Sequence, residues 1–325
     1  MTVSENVLEV KNLVMHYRTR KGPVYAVDNV TFHVGKGEAI GLVGESGCGK
    51  TSIALSLLKL LPTNADILDG EIRLTGEDVV PLSNKIMNKR RWRDISMVFQ
   101  SAMNSLNPVF SVEEQILEAM REHVPHLSEE EMDEKVDSLF DLVGLDPTLK
   151  TQYPHQYSGG MRQRAVIAMA LSCDPDLIIA DEPTTALDVI VQDSILKQIR
   201  EIQKELNMAM IYISHDIAVI AEVSERVGVM YAGKLVEMAS TENVFHNPIH
   251  PYTMALMSCF PSIVGEKTEL VTLPGEPPDL LAPPPGCRFH PRCPYATEIC
   301  REKDPEFKEH EQGHFAACWH PGGEK

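Results

Sequence analysis

The most constraining feature of this 325-residue chain is Gly44-Glu45-Ser46-Gly47-Cys48-Gly49-Lys50-Thr51. It has the spacing G-x-x-x-x-G-K-[ST]. A buried-strand pattern, Ala39-Ile40-Gly41-Leu42-Val43, precedes it, and helical spacing from Ile53 to Leu61 follows it up to Pro62. A fortuitous glycine-rich turn carries neither flank; a phosphate-cradling loop needs both. Glycines let successive backbone N–H groups form a concave nest at the positive end of a helix, where phosphate binds. Gly44, Ser46, Gly47, Cys48, Gly49 and Ser52 make up the expected cradle. Lys50 would reach the β- and γ-phosphates, and the Thr51 hydroxyl would take Mg²⁺. The feature therefore calls for an α/β chain with a triphosphate site.

The rest of the pattern agrees. Leu177-Ile178-Ile179-Ala180 and Met210-Ile211-Tyr212-Ile213 read as buried parallel strands separated by a helix over about 189–206. The first ends in Asp181-Glu182, which fits a Walker B strand: Asp181 near Mg²⁺, Glu182 placed as general base for an attacking water. An acidic pair ending a strand is more often a solvated end or a cap, and it gains meaning here from the loop upstream. Residues 7–43 contain short alternating stretches, Val7–Lys11, Val24–Val27 and Val30–Val34, that predict an antiparallel β-subdomain. About 84–173 reads as a helical subdomain, with Ser128 and Glu131 as a capping box. Val227–Tyr231 and Lys234–Glu237 predict a hairpin around Ala232-Gly233.

Charge and patterning exclude several classes. With 30 basic and 47 acidic residues the net charge is −17, unlike the basic surplus of most nucleic-acid binders, so no nucleic-acid partner is expected. The first twenty residues lack an apolar signal region, and no uninterrupted apolar run reaches about eighteen residues. Membrane association would have to run through a partner.

Ser158-Gly159-Gly160-Met161-Arg162-Gln163 resembles the signature sequence of ABC ATPases, and it lies about twenty residues before the Walker B strand. Alone, Ser-Gly-Gly is a flexible turn. With it, Gln100 after Ser96–Phe99 resembles the Q-loop glutamine, Asp188 the D-loop aspartate, and His215 in Ser214-His215-Asp216 the H-loop histidine. Each alone would read as a strand end or helix cap. Tyr17 falls where these ATPases carry an aromatic that stacks on adenine, although a packed strand tyrosine is the competing reading. The resemblance implies a RecA-like P-loop NTPase core. Its ATP would be closed over by a second ATPase subunit, identical or paralogous. Glu182, His215 and Gln100 would be catalytic, with Gln100 also near Mg²⁺.

A narrower resemblance lies in Ser105-Leu106-Asn107-Pro108, in Ala180–Asp188, and in Asn247-Pro248-Ile249-His250-Pro251-Tyr252-Thr253. With Gly286–Pro294, these are similar to ATP-binding subunits of dipeptide, oligopeptide and nickel importers. What this implies is an ATPase domain over 1–242 and a C-terminal extension over 243–325. It also implies two transmembrane permease subunits, an extracytoplasmic substrate-binding protein, and a peripheral place on the cytoplasmic face of the membrane. Peptide is the implied cargo, with nickel or oligosaccharide as alternatives. A soluble ABC ATPase of chromosome maintenance would need a long heptad insertion, which is absent.

The extension is proline-rich and offers little periodicity, so it was expected to need an external constraint. Cys48, Cys173 and Cys259 are scattered, whereas Cys287, Cys293, Cys300 and Cys318 crowd the end of the chain. Members of the branch with this pattern can carry a [4Fe–4S] cluster. That cluster was the expectation, with Cys₄ zinc (drawing if needed on His290, His310, His314 or His320) and four free thiols as alternatives.

Overall fold

The computed structural model describes residues 6–100, 105–184, 187–258 and 275–323. Cys259 and Pro274, and Thr185-Ala186 of the narrower motif, lie outside them. The chain opens with β1 (Asn6–Thr19) and β2 (Gly22–Gly35), and enters a central sheet at β3 (Ala39–Val43). Helix α1 (Lys50–Leu57) follows the glycine loop, and β4 (Ala65–Leu74) and β5 (Glu77–Asp78) return to the first sheet. Then come α2 (Asn84–Arg90), β6 (Ile95–Val98), α3 (Val112–His123), α4 (Glu129–Leu142) and α5 (Gly159–Leu171). The core closes with β7 (Leu177–Asp181), α6 (Val189–Glu205), β8 (Ala209–Ile213), α7 (Ile217–Val223), β9 (Arg226–Tyr231) and β10 (Lys234–Ser240). Beyond it lie α8 (Thr241–His246), α9 (Pro251–Ser258), α10 (Glu298–Glu302), β11 (Lys308–Glu311) and β12 (His314–Ala316).

Strands apolar at every position must be covered on both faces, and β3, β7 and β8 are buried throughout. They sit inside an eight-stranded sheet of order β11-β12-β10-β9-β3-β8-β7-β6. The pairs β9–β3, β3–β8, β8–β7 and β7–β6 are parallel. Period-two alternation sends Ile40, Leu42, Ile179 and Ile211 into one core with Val10, Leu13 and Phe32 of the antiparallel sheet β2-β1-β4-β5. The alternate residues Val43, Ile178, Ala180 and Tyr212 face the helices, packing with Ile116, Val136, Phe140 and Ile199. Ser128 and Glu131 do form the capping box that starts α4.

Two elements differ from the sequence reading. The three short strands expected over 7–34 are two strands of 14 residues each. Asn12 and Asn29, at φ 51° and 55°, take up the irregularity without ending them, and the β1–β2 register shifts next to both.

The second difference lies in the described part of the extension, which continues the central sheet. Strand β12 pairs with β10 through Glu237↔Ala316 and Met238↔Phe315. The anchor is the fully buried Glu237. Its Oε1 accepts from Ile249 N–H at 2.8 Å and from His314 Nε2 at 2.7 Å, and its Oε2 accepts from His250 N–H at 2.9 Å. A buried carboxylate with three donors is well satisfied, and it ties three segments together.

The iron–sulfur expectation is corrected here, together with the zinc alternative. Cys287, Cys293, Cys300 and Cys318 line one small cavity of about 10 Å³, room for one water at most. Among the described residues no group of three or more His, Cys, Asp or Glu side chains is placed to hold a metal ion. His290, His310 and His320 bond to Cys287 O, Ala316 O and Thr297 Oγ1, and His314 serves Glu237. These are free cysteines, Cys300 buried and the other three half-buried. Hydrogen bonds and the added strands supply the constraint that was assigned to a metal.

Candidate nucleotide site

Parallel strands deliver their following loops to one edge of the sheet, where ligands of α/β folds collect. The glycine loop leaves β3, Glu182 follows β7, and Ser214-His215 leaves β8. Since β8 lies between β3 and β7, segments far apart in sequence meet around one cavity of about 570 Å³.

The loop threads between neighbouring backbones, which explains two of its glycines. A Cβ on Gly44 would lie 2.2 Å from the Met230 carbonyl oxygen, and one on Gly49 would lie 2.1 Å from that of Ala26. Both have positive φ. Gly49 is the N-cap of α1, so the helix begins at Lys50 and its free N–H groups open toward the loop. Lys50 Nζ donates to the carbonyls of Gly44 at 2.7 Å and Glu45 at 3.1 Å. Ser46, Gly47, Gly49, Lys50, Thr51 and Ser52 line the cavity. Cys48 is buried, its thiol held up by that burial.

At the far wall Thr51 Oγ1 donates to Asp181 Oδ2 at 2.9 Å. Burial raises the Asp181 carboxyl above its ordinary value, against the opposing pull of the Thr51 bond. Glu182 adopts φ 47° and its N–H donates to Ile213 O at 2.8 Å, which fixes the backbone from which the side chain projects. Gln100 Nε2 donates to Glu182 Oε2 at 2.6 Å, and His215 Nδ1 lies 2.9 Å from Oε1. Two side chains from separate loops thus grip the same carboxylate. Tyr17 also lines the cavity, its hydroxyl 3.0 Å from Ser52 Oγ.

Ser158, Gly159, Gly160 and Asp188 are not among the residues that line this cavity. Ser158 caps α5, accepting from Met161 N–H at 3.3 Å. Asp188 caps α6, accepting from Val191 N–H at 3.0 Å. A Cβ on Gly160 would come within 2.9 Å of Val191 Cγ1, so the glycine lets α5 and α6 approach closely. Beside Asp188, Val189 and Ile190 are 81% and 82% exposed.

Sequence reasoning missed several wall residues. Val24, Ala26, Ile213 and Leu280 line the cavity, and Arg292 and Tyr252 contact Glu45 of the loop. Strand pattern could have nominated Val24, Ala26 and Ile213. No local signal marks Leu280, which sits in the proline-rich stretch.

Comparison with known proteins adds the following. Residues 27–185 match the ABC transporter family, and residues 236–300 match the oligopeptide/dipeptide transporter C-terminal region. The dipeptide transport ATP-binding protein DppD of Bacillus subtilis is 45% identical over 97% of this chain and 95% of its own length. The oligopeptide transport ATP-binding protein OppD of Haemophilus influenzae is 43% identical over 96% and 97%. Among solved structures, the post-hydrolysis dimer of the ATP-binding cassette MJ0796 bound to ADP and Pi has a TM-score of 0.64 at 26% identity. It covers 72% of this chain and 98% of that one. CbiO1 of Clostridium perfringens, part of the transporter complex cbiONQ, has a TM-score of 0.64 at 27% identity, over 75% and 92%.

Proposed function

This chain belongs to the ABC transporter family, in the branch that carries the oligopeptide/dipeptide transporter C-terminal region, and from that premise we propose that it is the ATP-hydrolysing subunit of a peptide importer. The observation that carries the chemistry is the Glu182 carboxylate, gripped by Gln100 and His215 beside the Thr51–Asp181 pair. ATP lies with its phosphates in the glycine loop, against Lys50 and the N-terminus of α1, and with its base toward Tyr17. Water held by Gln100 and Glu182 attacks the γ-phosphorus. The new bond forms from water oxygen to phosphorus, the bond to the ADP oxygen breaks, and Glu182 takes the water proton. His215 both orients Glu182 and donates toward the γ-phosphate.

The paired oxygens of Thr51 and Asp181 suit Mg²⁺, a hard cation that prefers oxygen ligands, with the amide oxygen of Gln100 as a further candidate. Bound there, Mg²⁺ would neutralise charge on the β- and γ-phosphates.

The signature turn serves a second ATPase subunit, identical or paralogous. Ser158 and the N-terminus of α5 close over the partner's ATP, and the exposed Val189 and Ile190 beside Asp188 are buried in that dimer. Phe99, just after β6, and Val109 and Phe110, ahead of α3, are exposed apolar side chains and support docking of a permease pair. No helix among the described residues is long and apolar enough to cross a membrane, so such docking would hold the chain at the cytoplasmic face. An extracytoplasmic binding protein would deliver the cargo. The relatives named for dipeptide and oligopeptide transport favour peptide.

Vesicles containing the chain, its second ATPase subunit and the permease pair, supplied with binding protein, test this reading. ATP-dependent uptake of labelled peptide is expected, and it should stop with Glu182→Gln. Peptide uptake that proceeds without ATP hydrolysis would sink it.

A further inference from the structure

The C-terminal extension reaches the nucleotide cavity at Leu280 and the phosphate loop beside it at Arg292, neither of them part of the P-loop or Walker B motifs. Leu280 lines the cavity with Tyr17, Val24 and Ala26. Its backbone is fixed there, because Tyr25 N–H of β2 donates to Leu280 O at 3.1 Å. Asp279 braces the turn, its Oδ1 accepting from Leu281 N–H at 2.9 Å.

The second point is Arg292, whose side chain is 5% exposed. Its guanidinium makes two bonds to the Glu45 carboxylate, Nη1–Oε2 at 2.8 Å and Nη2–Oε1 at 3.1 Å. It lies over the Tyr231 ring at 5.8 Å from the centroid. Tyr252 of α9 adds a third bond to the same loop residue, its hydroxyl accepting from Glu45 N–H at 3.1 Å. Glu45 in turn offers its carbonyl to Lys50 Nζ at 3.1 Å. A buried bidentate arginine–carboxylate pair fixes orientation as well as distance. Arg292 thus sets the backbone that sets the phosphate-binding lysine.

We propose that the extension completes the nucleotide site: Leu280 forms part of the wall on which the base packs, and Arg292 positions the phosphate loop through Glu45. This rests on the ATP-binding reading above and deepens it. Without Leu280 the cavity would lose an apolar wall side chain, and without Arg292 and Tyr252 the loop would lose three of its outer hydrogen bonds. Leu280 is a specificity-determining contact for the base. Arg292 touches no nucleotide and acts as a positioning residue.

The two roles predict different ligand profiles. Equilibrium binding to the full chain is measured for ATP and for inorganic tripolyphosphate, which has the phosphates and no base. Leu280→Ala should weaken ATP roughly fivefold to tenfold, the scale of one or two methylenes lost from contact, and leave tripolyphosphate unchanged. Leu280→Met, which keeps the apolar volume, should retain most of the ATP affinity. Arg292→Gln should weaken both ligands roughly tenfold and raise KM for ATP by more than it lowers kcat, and Arg292→Lys should recover part of the loss. Equal weakening of both ligands by Leu280→Ala, or no weakening of ATP, overturns the base contact. Unchanged binding of both ligands in Arg292→Gln overturns the positioning role. A wild-type chain that binds neither ligand sinks the ATP reading itself, a result distinct from either.

Discussion

The phosphate-loop half of the site and the signature half are both built from short glycine-containing turns at helix N-termini, yet the chain treats them differently. Around the phosphate loop every chemical group meets another from the same chain: Lys50 with two carbonyls, Thr51 with Asp181, Glu182 with Gln100 and His215. Ser158 and Asp188 instead cap their own helices outside the cavity, beside exposed Val189 and Ile190. One half is assembled on folding. The other, in the reading proposed above, would acquire a ligand only through another subunit. A chain of this kind should bind nucleotide alone and hydrolyse it well only in company.

The largest test of that contrast is Glu182→Gln. It removes the proton acceptor and should lower turnover about 10²- to 10⁴-fold while nucleotide binding persists, as steady-state phosphate release and equilibrium binding would report. Near-normal turnover would take Glu182 out of the role. Next in size is Glu237→Gln, which leaves two backbone N–H groups and His314 facing an amide. Breaking a buried charged network of this sort costs about 3–5 kcal/mol. Limited proteolysis should show the extension released, and ATP binding should weaken. If α5 is cleaved as readily as the extension, the two halves are not separately supported.

Ser158→Ala targets the other half. It should lower hydrolysis roughly 10²-fold in the assembled transporter, the scale of one lost transition-state donor, and leave single-chain nucleotide affinity unchanged. Weakened binding by the lone chain would contradict the division.

The smallest effect is on pH. Burial, opposed by the nearby Glu237 charge, lowers the His250 pKa to about 4 from an ordinary 6.5. Above pH 6.5 the ring is neutral folded or unfolded and contributes no slope. As pH falls from 6.5 toward 4 the unfolded chain takes up a proton that the folded one refuses, so stability declines through that window. Melting temperatures across it should fall, and less steeply in His250→Asn.

Legibility followed the same division. The glycine loop, the Asp181-Glu182 pair and the strands that carry them were readable because each rests on local rules: glycine where φ is positive, apolar runs where both faces are covered, carboxylates at a strand end. Tyr17, Gln100 and His215 were found only through the order of motifs along the chain, since each alone is an ordinary strand or cap residue. Leu280 and Arg292 were invisible as contacts, because nothing near them in sequence refers to β2 or to Glu45. The cysteine spacing was legible but misleading. Four clustered thiols suggested a metal to stabilise a segment with little periodicity, whereas pairing of β12 with β10 and the Glu237 network do that work.

By itself, then, the sequence determined the α/β class, the phosphate loop with its lysine, and the acidic strand end, because backbone preference and hydrophobic period act over a few residues. Only the tertiary structure decided that the proline-rich end would join the central sheet, gather its four cysteines around one small cavity, and set Leu280 in the wall of the nucleotide site and Arg292 against Glu45 of its loop. Those outcomes depend on contacts between residues far apart in the chain, Glu237 with Ala316, Tyr25 with Leu280 and Glu45 with Arg292, where burial and hydrogen-bond satisfaction are settled jointly rather than locally.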